Sequence, residues 1–427
     1  MQPQTILLLI AAAGLFSVCL VYRQVINLPS LLLVGFFFAS PWSAAYLLGG
    51  DIQAKWGRAG FALLGIVVLL VEIQRFRMNA TTLSVVVASF FYALSALWSE
   101  QPLEGFIYKL QFVGCLCLGL LVPLLAADDG KRFKRALIIL CVGGAASTML
   151  VYSDILLSFG SAFSHHGRLS AWGMNPNRIG QTWAATALIG LAAILLMKDK
   201  TVRLAGLVCI AASLPVVLGT LSRASLMMMI IAAAVMIVPQ LASPRQAISL
   251  LFVAAVISLP LAYSGDTLVR GDTERLIGAE ASREHIWRDG IAIFSERPIL
   301  GQGWASGSVY GGAIESSAQF HNAGISVMVD AGAIGLSLFL LAAAITWFQI
   351  AQTRATAGGV ANHQTLYVGL GLTLGTFAHG MVESAIMFGV TPVTVVFGLG
   401  LGFLAVYVNQ GRAASAYAPV GVMRGAA

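Results

Sequence analysis

The sequence predicts an all-α membrane protein with many transmembrane helices. Of its 427 residues, 58% are hydrophobic and only 10% are charged, and the mean hydropathy is +0.85. Apolar runs close to the ~20 residues that cross a bilayer recur from one end of the chain to the other. The strict alternation of a transmembrane β-strand is absent from the sequence, so we expect helices, whose backbone hydrogen bonds are satisfied internally.

Thirteen apolar runs predict twelve or thirteen transmembrane helices within a single membrane domain, 1–427. The count depends on two places, because Pro41 interrupts the second run and only Gly389 to Thr391 separate the last two. The first run lacks a basic start and a convincing cleavage site, so we expect a retained helix rather than a signal peptide. The runs are 5–22, 29–48, 59–73, 81–98, 106–127, 133–151, 179–197, 202–219, 224–240, 247–263, 323–350, 366–388 and 392–408.

Basic residues near the ends of the runs predict which loops face the cytoplasm, since lysine and arginine concentrate there. Two basic clusters, in 131–135 and 198–203, mark that side. Alternation of the spans then places Arg168, the turn at Arg223 and the stretch 264–320 on the opposite face, which we call the far side. Basic residues flank both ends of the second run and give conflicting indications, so the side of the N-terminus stays open.

Charge and cysteine content exclude several other interpretations. The net charge of +7 comes mostly from the anchoring loops, so it does not indicate a nucleic-acid partner. All five cysteines lie within apolar runs, which predicts packing residues rather than disulfides or metal ligands. The adjacent His165 and His166 have no carboxylate or cysteine at ligand spacing and are only a weak indication of a metal site. We therefore predict no metal and no cofactor.

The polar stretch 264–320 separates two late spans and has the pattern of a structured loop. From about 282 to 297, apolar residues recur at helical spacing with charged residues elsewhere on the wheel, which predicts an amphipathic helix lying on the membrane face. Ser282 suits its N-cap, and Pro298 ends it. Several glycines then lead to His321, a pattern typical of a lid and also of an ordinary connector.

Arginines on the far side are candidates for binding an anion. Arg223 lies in a very short turn, against the usual orientation bias for arginine, which favours a functional role over a membrane anchor. Arg283 opens the amphipathic helix, where its guanidinium can donate paired hydrogen bonds to a phosphate; a solvated surface arginine is the alternative. Arg168 and Arg178 flank Asn175-Pro176-Asn177 just before a span.

Histidines supply the candidates for proton transfer. His321 stands where a span begins, and an imidazole titrates near neutral pH, which suits a general base. A lone histidine at a helix start is more often structural, but one that closes an arginine-rich stretch is a better candidate for catalysis. His379 and Glu383 lie one turn apart within an apolar run, which predicts a buried polar pair facing the same cavity. The role of that pair stays open.

Short motifs occur in a fixed order between about residues 93 and 340. They are Ala96-Leu97-Trp98-Ser99 with Pro102, Arg168 with Asn175-Pro176-Asn177, Ser222-Arg223, Ser282 to Trp287, Arg297 to Gly303, His321-Asn322 and Asp330 to Leu336. Their order, together with the number of spans, resembles that of the bacterial O-antigen ligase and Wzy-type polymerase superfamily. No single motif is specific, and Asp330 departs mildly from the residue usual at its position.

The resemblance implies a GT-C-type membrane glycosyltransferase in the bacterial inner membrane, with its active site facing the periplasm. Such an enzyme moves a glycan from undecaprenyl diphosphate to a sugar hydroxyl, without a metal and with inversion at the anomeric carbon. The acceptor is lipid A-core for a ligase and a second lipid-linked glycan for a polymerase. The shared motifs leave these two open, and we slightly favour the O-antigen ligase because it is the broader label for this signature.

Roles for individual residues follow from the resemblance. His321 is the predicted base that takes the proton of the acceptor hydroxyl. Arg168, Arg223 and Arg283 are the predicted ligands of the diphosphate, because fixed arginines can stabilise the charge that builds on the leaving group. The predicted supporting residues are Asn177, Arg178, Arg288 and Asn322.

A transporter of lipid-linked glycans is the alternative from another functional class. Twelve or so spans suit a transporter, and Gly50-Asp51 with Gly57-Arg58 faintly resembles a loop motif of major facilitator carriers, although the spacing differs. Such carriers do not usually place a long amphipathic segment between late helices on the outer face. We therefore expect a transferase whose partners are the lipid-linked donor, its acceptor and the surrounding membrane lipids.

Overall fold

The computed structural model describes residues 66, 78–128, 130–157, 162–163, 168–171, 175–241, 273–304, 320–356, 362–383 and 391–417. Apart from Ile66, four of the predicted spans lie outside these ranges, namely 5–22, 29–48, 59–73 and 247–263. His165 and His166 also lie outside the described residues.

All regular structure within the described ranges is helical, and no β-strand occurs in them. Two helices, the first and the sixth, continue as short 3-10 turns, Ser95–Trp98 and Val238–Gln240. The α-helices are α1 (Ala80–Leu94), α2 (Pro102–Asp128), α3 (Gly130–Leu157), α4 (Pro176–Leu196), α5 (Lys200–Thr220), α6 (Arg223–Ile237), α7 (Thr273–Glu296), α8 (Ala323–Thr356), α9 (His363–Val382) and α10 (Pro392–Tyr417).

Nine of these described helices, all except α7, are long and apolar enough to cross a membrane. Each coincides with one of the predicted spans, which confirms an all-helical, multi-pass membrane protein for the described part of the chain. The remaining helix, α7, begins at Thr273, well before the predicted start at 282. Glu274, Arg275 and Leu276 are good helix formers, so the helix does not need Ser282 as its cap.

Small residues bring the membrane helices close together. A Cβ atom on Gly190 of α4 would stand 2.7 Å from the carbonyl oxygen of Gly206 on α5, and one on Gly398 of α10 would stand 2.5 Å from the carbonyl oxygen of Leu116 on α2. Lipid tails are as apolar as a leucine side chain, so close packing rather than water exclusion holds such helices together. Two large buried clusters result, one mainly around α3 to α6 with parts of α2, α9 and α10, and one around α1, α2, α8 and α10. A smaller third cluster joins α8, α9 and α10.

Helix α8 is broken near its start. Gly332 has φ +66° and ψ −166°, a conformation open almost only to glycine. The segment that follows α7, 297–304, supplies partners for the interrupted backbone: Gln302 and Gly303 donate their N–H groups to the carbonyls of Val329 and Asp330 at 2.7 and 2.9 Å. The break leaves a first section, Ala323–Ala331, which we call the half helix.

One end of the bundle gathers the helix termini that carry the candidate residues. Hydrogen bonds join the start of α4, the end of α5, the start of α8 and the end of α9. We call this the far end, because these termini all belong to loops predicted on the far side. The opposite end carries the basic connections between α2 and α3 and between α4 and α5.

Candidate functional site

His321 lies in the turn that leads into α8, and its backbone is strained. Its φ angle is +48°, a region that non-glycine residues rarely adopt and that histidine tolerates better than most. Such conformations cluster at functional sites, where the surrounding structure compensates for their cost. The side chain is 28% exposed, and its Nδ1 lies 2.8 Å from Oε2 of Glu383. A partly accessible imidazole is therefore held by a carboxylate.

Glu383 ends α9 and supplies that carboxylate. Its backbone is extended, with φ −145° and ψ 130°, and its N–H donates to the carbonyl of His379 at 2.8 Å. The side chain is only 10% exposed, and its other oxygen, Oε1, accepts a hydrogen bond from Nδ2 of Asn177 at 3.2 Å. The two carboxylate oxygens thus join the start of α8 to the start of α4.

The Asn175-Pro176-Asn177 motif positions Asn177 at the first turn of α4. Asn175 is the N-cap, its side chain accepts from the N–H of Asn177 at 2.8 Å, and Pro176 occupies a position where a missing N–H costs nothing. The amide of Asn177 then makes contacts on both sides. Its Nδ2 donates to Glu383, and its Oδ1 accepts from Nη2 of Arg168 at 2.8 Å.

Arg168 completes this hydrogen-bonded group. Its Nε donates to the carbonyl of Thr220, at the end of α5, at 2.8 Å, while its Nη2 donates to Asn177. Leu169 N–H donates to the carbonyl of Gly219 at 2.8 Å, which pairs this segment with the same helix end. We call Arg168, Asn177, Glu383 and His321 the site chain. It runs without interruption from a guanidinium to an imidazole.

Arg223 begins α6 only three residues after Thr220. Between them, Leu221 adopts the left-handed conformation with φ +50°, which is costly for a branched residue. Among the described residues, Leu221 and His321 are the only non-glycine residues with positive φ. Both lie in far-end turns next to predicted site residues. Arg223 is half-buried and shares the corner at which Arg168 binds Thr220.

Asn322 holds the site rather than lining it. Its Oδ1 accepts from the N–H of Ile325 at 3.1 Å, which caps α8, and its Nδ2 donates to the carbonyl of Met381 at 3.1 Å. The same residue therefore starts the half helix and ties it to the end of α9. These contacts fix the start of α8, and the supporting role of Asn322 in the reaction stays a prediction.

The remaining predicted site residues either are exposed at the surface or have side chains outside the part of the chain that the structure describes. Arg178, on α4, and Arg288, on α7, are exposed. Arg288 follows Trp287, whose indole N–H donates to the carbonyl of Phe320 at 2.9 Å, so α7 does contact the turn that carries His321. Arg283 belongs to α7, but its side chain lies outside the described part.

His379 and Glu383, which the sequence predicts as a buried polar pair, are not hydrogen-bonded to each other through their side chains in the described structure. The Glu383 carboxylate bonds to His321 and Asn177, whereas His379 is 1% exposed and its Nδ1 has no hydrogen-bond partner in the described part of the chain. Sequence reasoning noticed Glu383 but missed its partner, because His321 is distant in sequence. Within the described residues, no group of three or more histidines, cysteines and carboxylates could hold a metal ion.

Comparison with known proteins leaves the family open. The chain matches no protein-family model and no curated protein.

Proposed function

We propose that this protein is a GT-C-type glycosyltransferase of the bacterial inner membrane, with twelve or thirteen spans and its far end in the periplasm. It transfers a glycan from undecaprenyl diphosphate to the hydroxyl of an acceptor sugar. One observation carries the proposal: the site chain joins the arginine predicted to bind the diphosphate to the histidine predicted to be the base. The residues predicted for the two roles therefore lie at the same end of the bundle, which supports the proposal.

His321 is suited to remove a proton because of its bond to Glu383. An ionised carboxylate only accepts hydrogen bonds, so with Glu383 ionised and the imidazole neutral, Nδ1 of His321 would donate to Glu383 and Nε2 would keep a lone pair. A carboxylate placed behind an imidazole also stabilises the imidazolium that forms. In the reaction, the acceptor oxygen bonds to the anomeric carbon, its proton passes to Nε2, and the bond from that carbon to the diphosphate breaks. Direct attack of this kind inverts the anomeric configuration.

The leaving diphosphate gains negative charge, which the arginines at the same end can stabilise. Arg168 is fixed by Thr220 and Asn177, and Arg223 begins the helix that follows Thr220, so both residues belong to one corner. Groups fixed before the reaction stabilise developing charge without further reorganisation. Arg283 remains a proposed third ligand, because α7 contacts the turn before His321 through Trp287.

Reconstitution tests the proposal. Purified full-length protein in proteoliposomes is given undecaprenyl-diphosphate glycan with either lipid A-core or a second lipid-linked glycan, and products are separated by mass. We expect a new glycosidic bond with one acceptor: lipid A-core for the slightly favoured ligase, or the second glycan for a polymerase. Movement of donor across the bilayer without any new bond would instead identify a transporter.

Two further experiments test how the protein stabilises the leaving diphosphate. Full activity in the presence of a chelator is expected, and a loss that added divalent metal reverses would contradict the metal-independent reaction. Arg223→Ala and Arg283→Ala should each weaken donor binding or slow departure of the lipid diphosphate. Arg135→Ala, at the basic end of the bundle, is the matched control and should leave transfer unchanged.

A further inference from the structure

A buried ion pair lies away from the site chain and has no part in the proposed reaction. Lys109 of α2 and Asp330 of α8 are 1% and 9% exposed at their side chains, and Nζ lies 3.1 Å from Oδ2. The hydroxyl of Tyr92 donates to the same oxygen at 2.9 Å, and Lys109 donates to Oγ of Ser95 at 2.7 Å. Burying two charges within membrane helices is expensive, so such groups are usually retained for a purpose.

The pair lies at the break in α8. Asp330 is two residues before Gly332, and its carbonyl accepts from Gly303 of the segment 297–304 at 2.9 Å. On the other side of the break, Ala333 and Ile334 donate to the carbonyls of Pro298 and Ile299 at 2.8 and 3.3 Å. The segment thus replaces the helix bonds that the break removes. Asp330 contributes its backbone to this arrangement and its side chain to the ion pair.

The segment 297–304 is also held by the helices that carry the partners of Asp330. The indole of Trp98, just after α1, donates to the carbonyl of Leu300 at 3.1 Å. Gly303, with φ +80°, approaches so closely that a Cβ atom there would stand 2.8 Å from the backbone nitrogen of Ser99. Trp304 stacks obliquely on Tyr108 of α2, with ring centroids 5.7 Å apart. The segment is therefore locked between α1, α2 and α8, and the ion pair joins two of these helices, α2 and α8.

His321 is linked to this arrangement by a single short helix. Asp330 lies nine positions after His321, and the half helix Ala323–Ala331 connects them without another break. At its other end the half helix is fixed by Asn322, which bonds to Met381, and by His321, which bonds to Glu383. A shift of the half helix at Asp330 would therefore move His321 relative to α9.

We propose that the Lys109–Asp330 ion pair positions His321 by locking the half helix and the segment 297–304 against α1 and α2. Lys109, Asp330 and Tyr92 are then positioning residues, which act on His321 through the half helix. The consequence for transfer rests on the proposed function. The structural lock does not, and it can be measured without any substrate.

Hydrogen exchange of the full-length protein in nanodiscs tests the lock. Lys109→Met combined with Asp330→Asn removes both charges, which avoids leaving one buried charge unpaired. Peptides covering 297–304 and 320–334 should then exchange at least about 10-fold faster, while peptides of α5 stay protected, because the loss is local. The matched control is Lys134→Met with Asp199→Asn, which removes the exposed lysine–aspartate pair at the basic end and should leave both peptides unchanged.

The hydrogen-exchange rates of these peptides either support the lock or overturn it. Unchanged exchange in 297–304 and 320–334 would overturn the proposal, and so would an equal rise in every helix, since the pair would then hold the whole bundle. If the double variant does not fold, Tyr92→Phe removes one hydrogen bond to Asp330 with little change in volume. A smaller rise confined to the same peptides is expected from that variant, and its absence would overturn the lock.

Kinetics separate positioning from a general structural role. In the folded Tyr92→Phe and double variants, kcat should fall by about 10-fold or more at unchanged KM for donor, because misplacing a catalytic group affects the chemical step. Equal kcat in variants that show the faster local exchange would contradict the link to His321. If the wild-type protein transfers no glycan at all, the proposed function fails while the exchange experiment still tests the lock.

Discussion

Two lysine–aspartate pairs, one towards each end of the bundle, differ in almost every physical respect. Lys134 and Asp199 at the basic end are 39% and 35% exposed, whereas Lys109 and Asp330 are 1% and 9% exposed. An exposed pair contributes little to stability and is screened by salt, while removal of one partner from a buried pair leaves an uncompensated charge. The exposed pair includes the N-cap of α5, whereas the buried pair joins α2 to α8 next to the break in α8.

The same contrast extends to the backbone. At the basic end, Asp199 caps α5 by accepting from the N–H groups of Thr201 and Val202, and Asn362 caps α9 in the same ordinary way. At the far end, His321 and Leu221 adopt positive φ, and a carboxylate is buried against an imidazole. Strain and buried charge cluster at functional sites, so this difference supports the proposal that the far end is the site of the reaction.

Glu383→Gln should have the largest effect among the far-end variants beyond His321 itself. An amide can present either an N–H or an oxygen to Nδ1, so it no longer fixes the imidazole in the form with a free lone pair at Nε2. We expect kcat to fall by about 10²- to 10⁴-fold with KM for donor nearly unchanged. Steady-state kinetics on the reconstituted protein measure this, and wild-type kcat would remove Glu383 from the mechanism.

Arg168→Lys should have an intermediate effect. The guanidinium bonds to Thr220 and Asn177 at once, which a single ammonium group cannot reproduce with the same geometry. Transfer should fall by about 10- to 10²-fold, with a higher KM for donor. Arg203→Lys, at the basic end, is the matched control. Equal losses in the two variants would mean that the geometry of the Arg168 guanidinium, as distinct from its positive charge, does not matter for transfer.

Asp199→Asn should have the smallest effect and none on transfer. The hydrogen bond from Lys134 lowers the pKa of Asp199, so the pair stabilises the folded state above the ordinary aspartate value and this stabilisation is lost as pH falls through the lowered pKa. The melting temperature of the variant should therefore lie slightly below wild type at neutral pH and converge with it in acid. A difference that grows as the pH falls would contradict this assignment.

Much of the fold follows from the sequence, because length and apolar composition determine which segments cross a membrane. Nine predicted spans coincide with helices, and the motifs around Arg168, Asn177 and His321 do meet at one end. The partners of those residues could not be predicted. Glu383 and His321 are far apart in the chain, and only packing of α9 against the start of α8 brings them to 2.8 Å.

The broken helix was equally hidden in the sequence. Asp330 to Leu336 stands out in the sequence only as a motif, and Lys109 lies inside a run that is apolar enough to predict a span. A single charge within each of two spans was the available signal for a buried pair. The break itself depends on partners from 297–304, and such a contact between distant segments leaves no periodicity in either of them.

Single-turnover transfer by His321→Ala, compared with wild type, tests the central claim most directly. Both proteins are reconstituted at the same amount, and helicity and donor binding are measured first, so that loss of folding is recognised. The account predicts normal donor binding and a rate of glycosidic bond formation lower by about 10²- to 10⁴-fold, because the acceptor hydroxyl loses its base. Transfer at the wild-type rate would contradict the claim that His321 takes the acceptor proton.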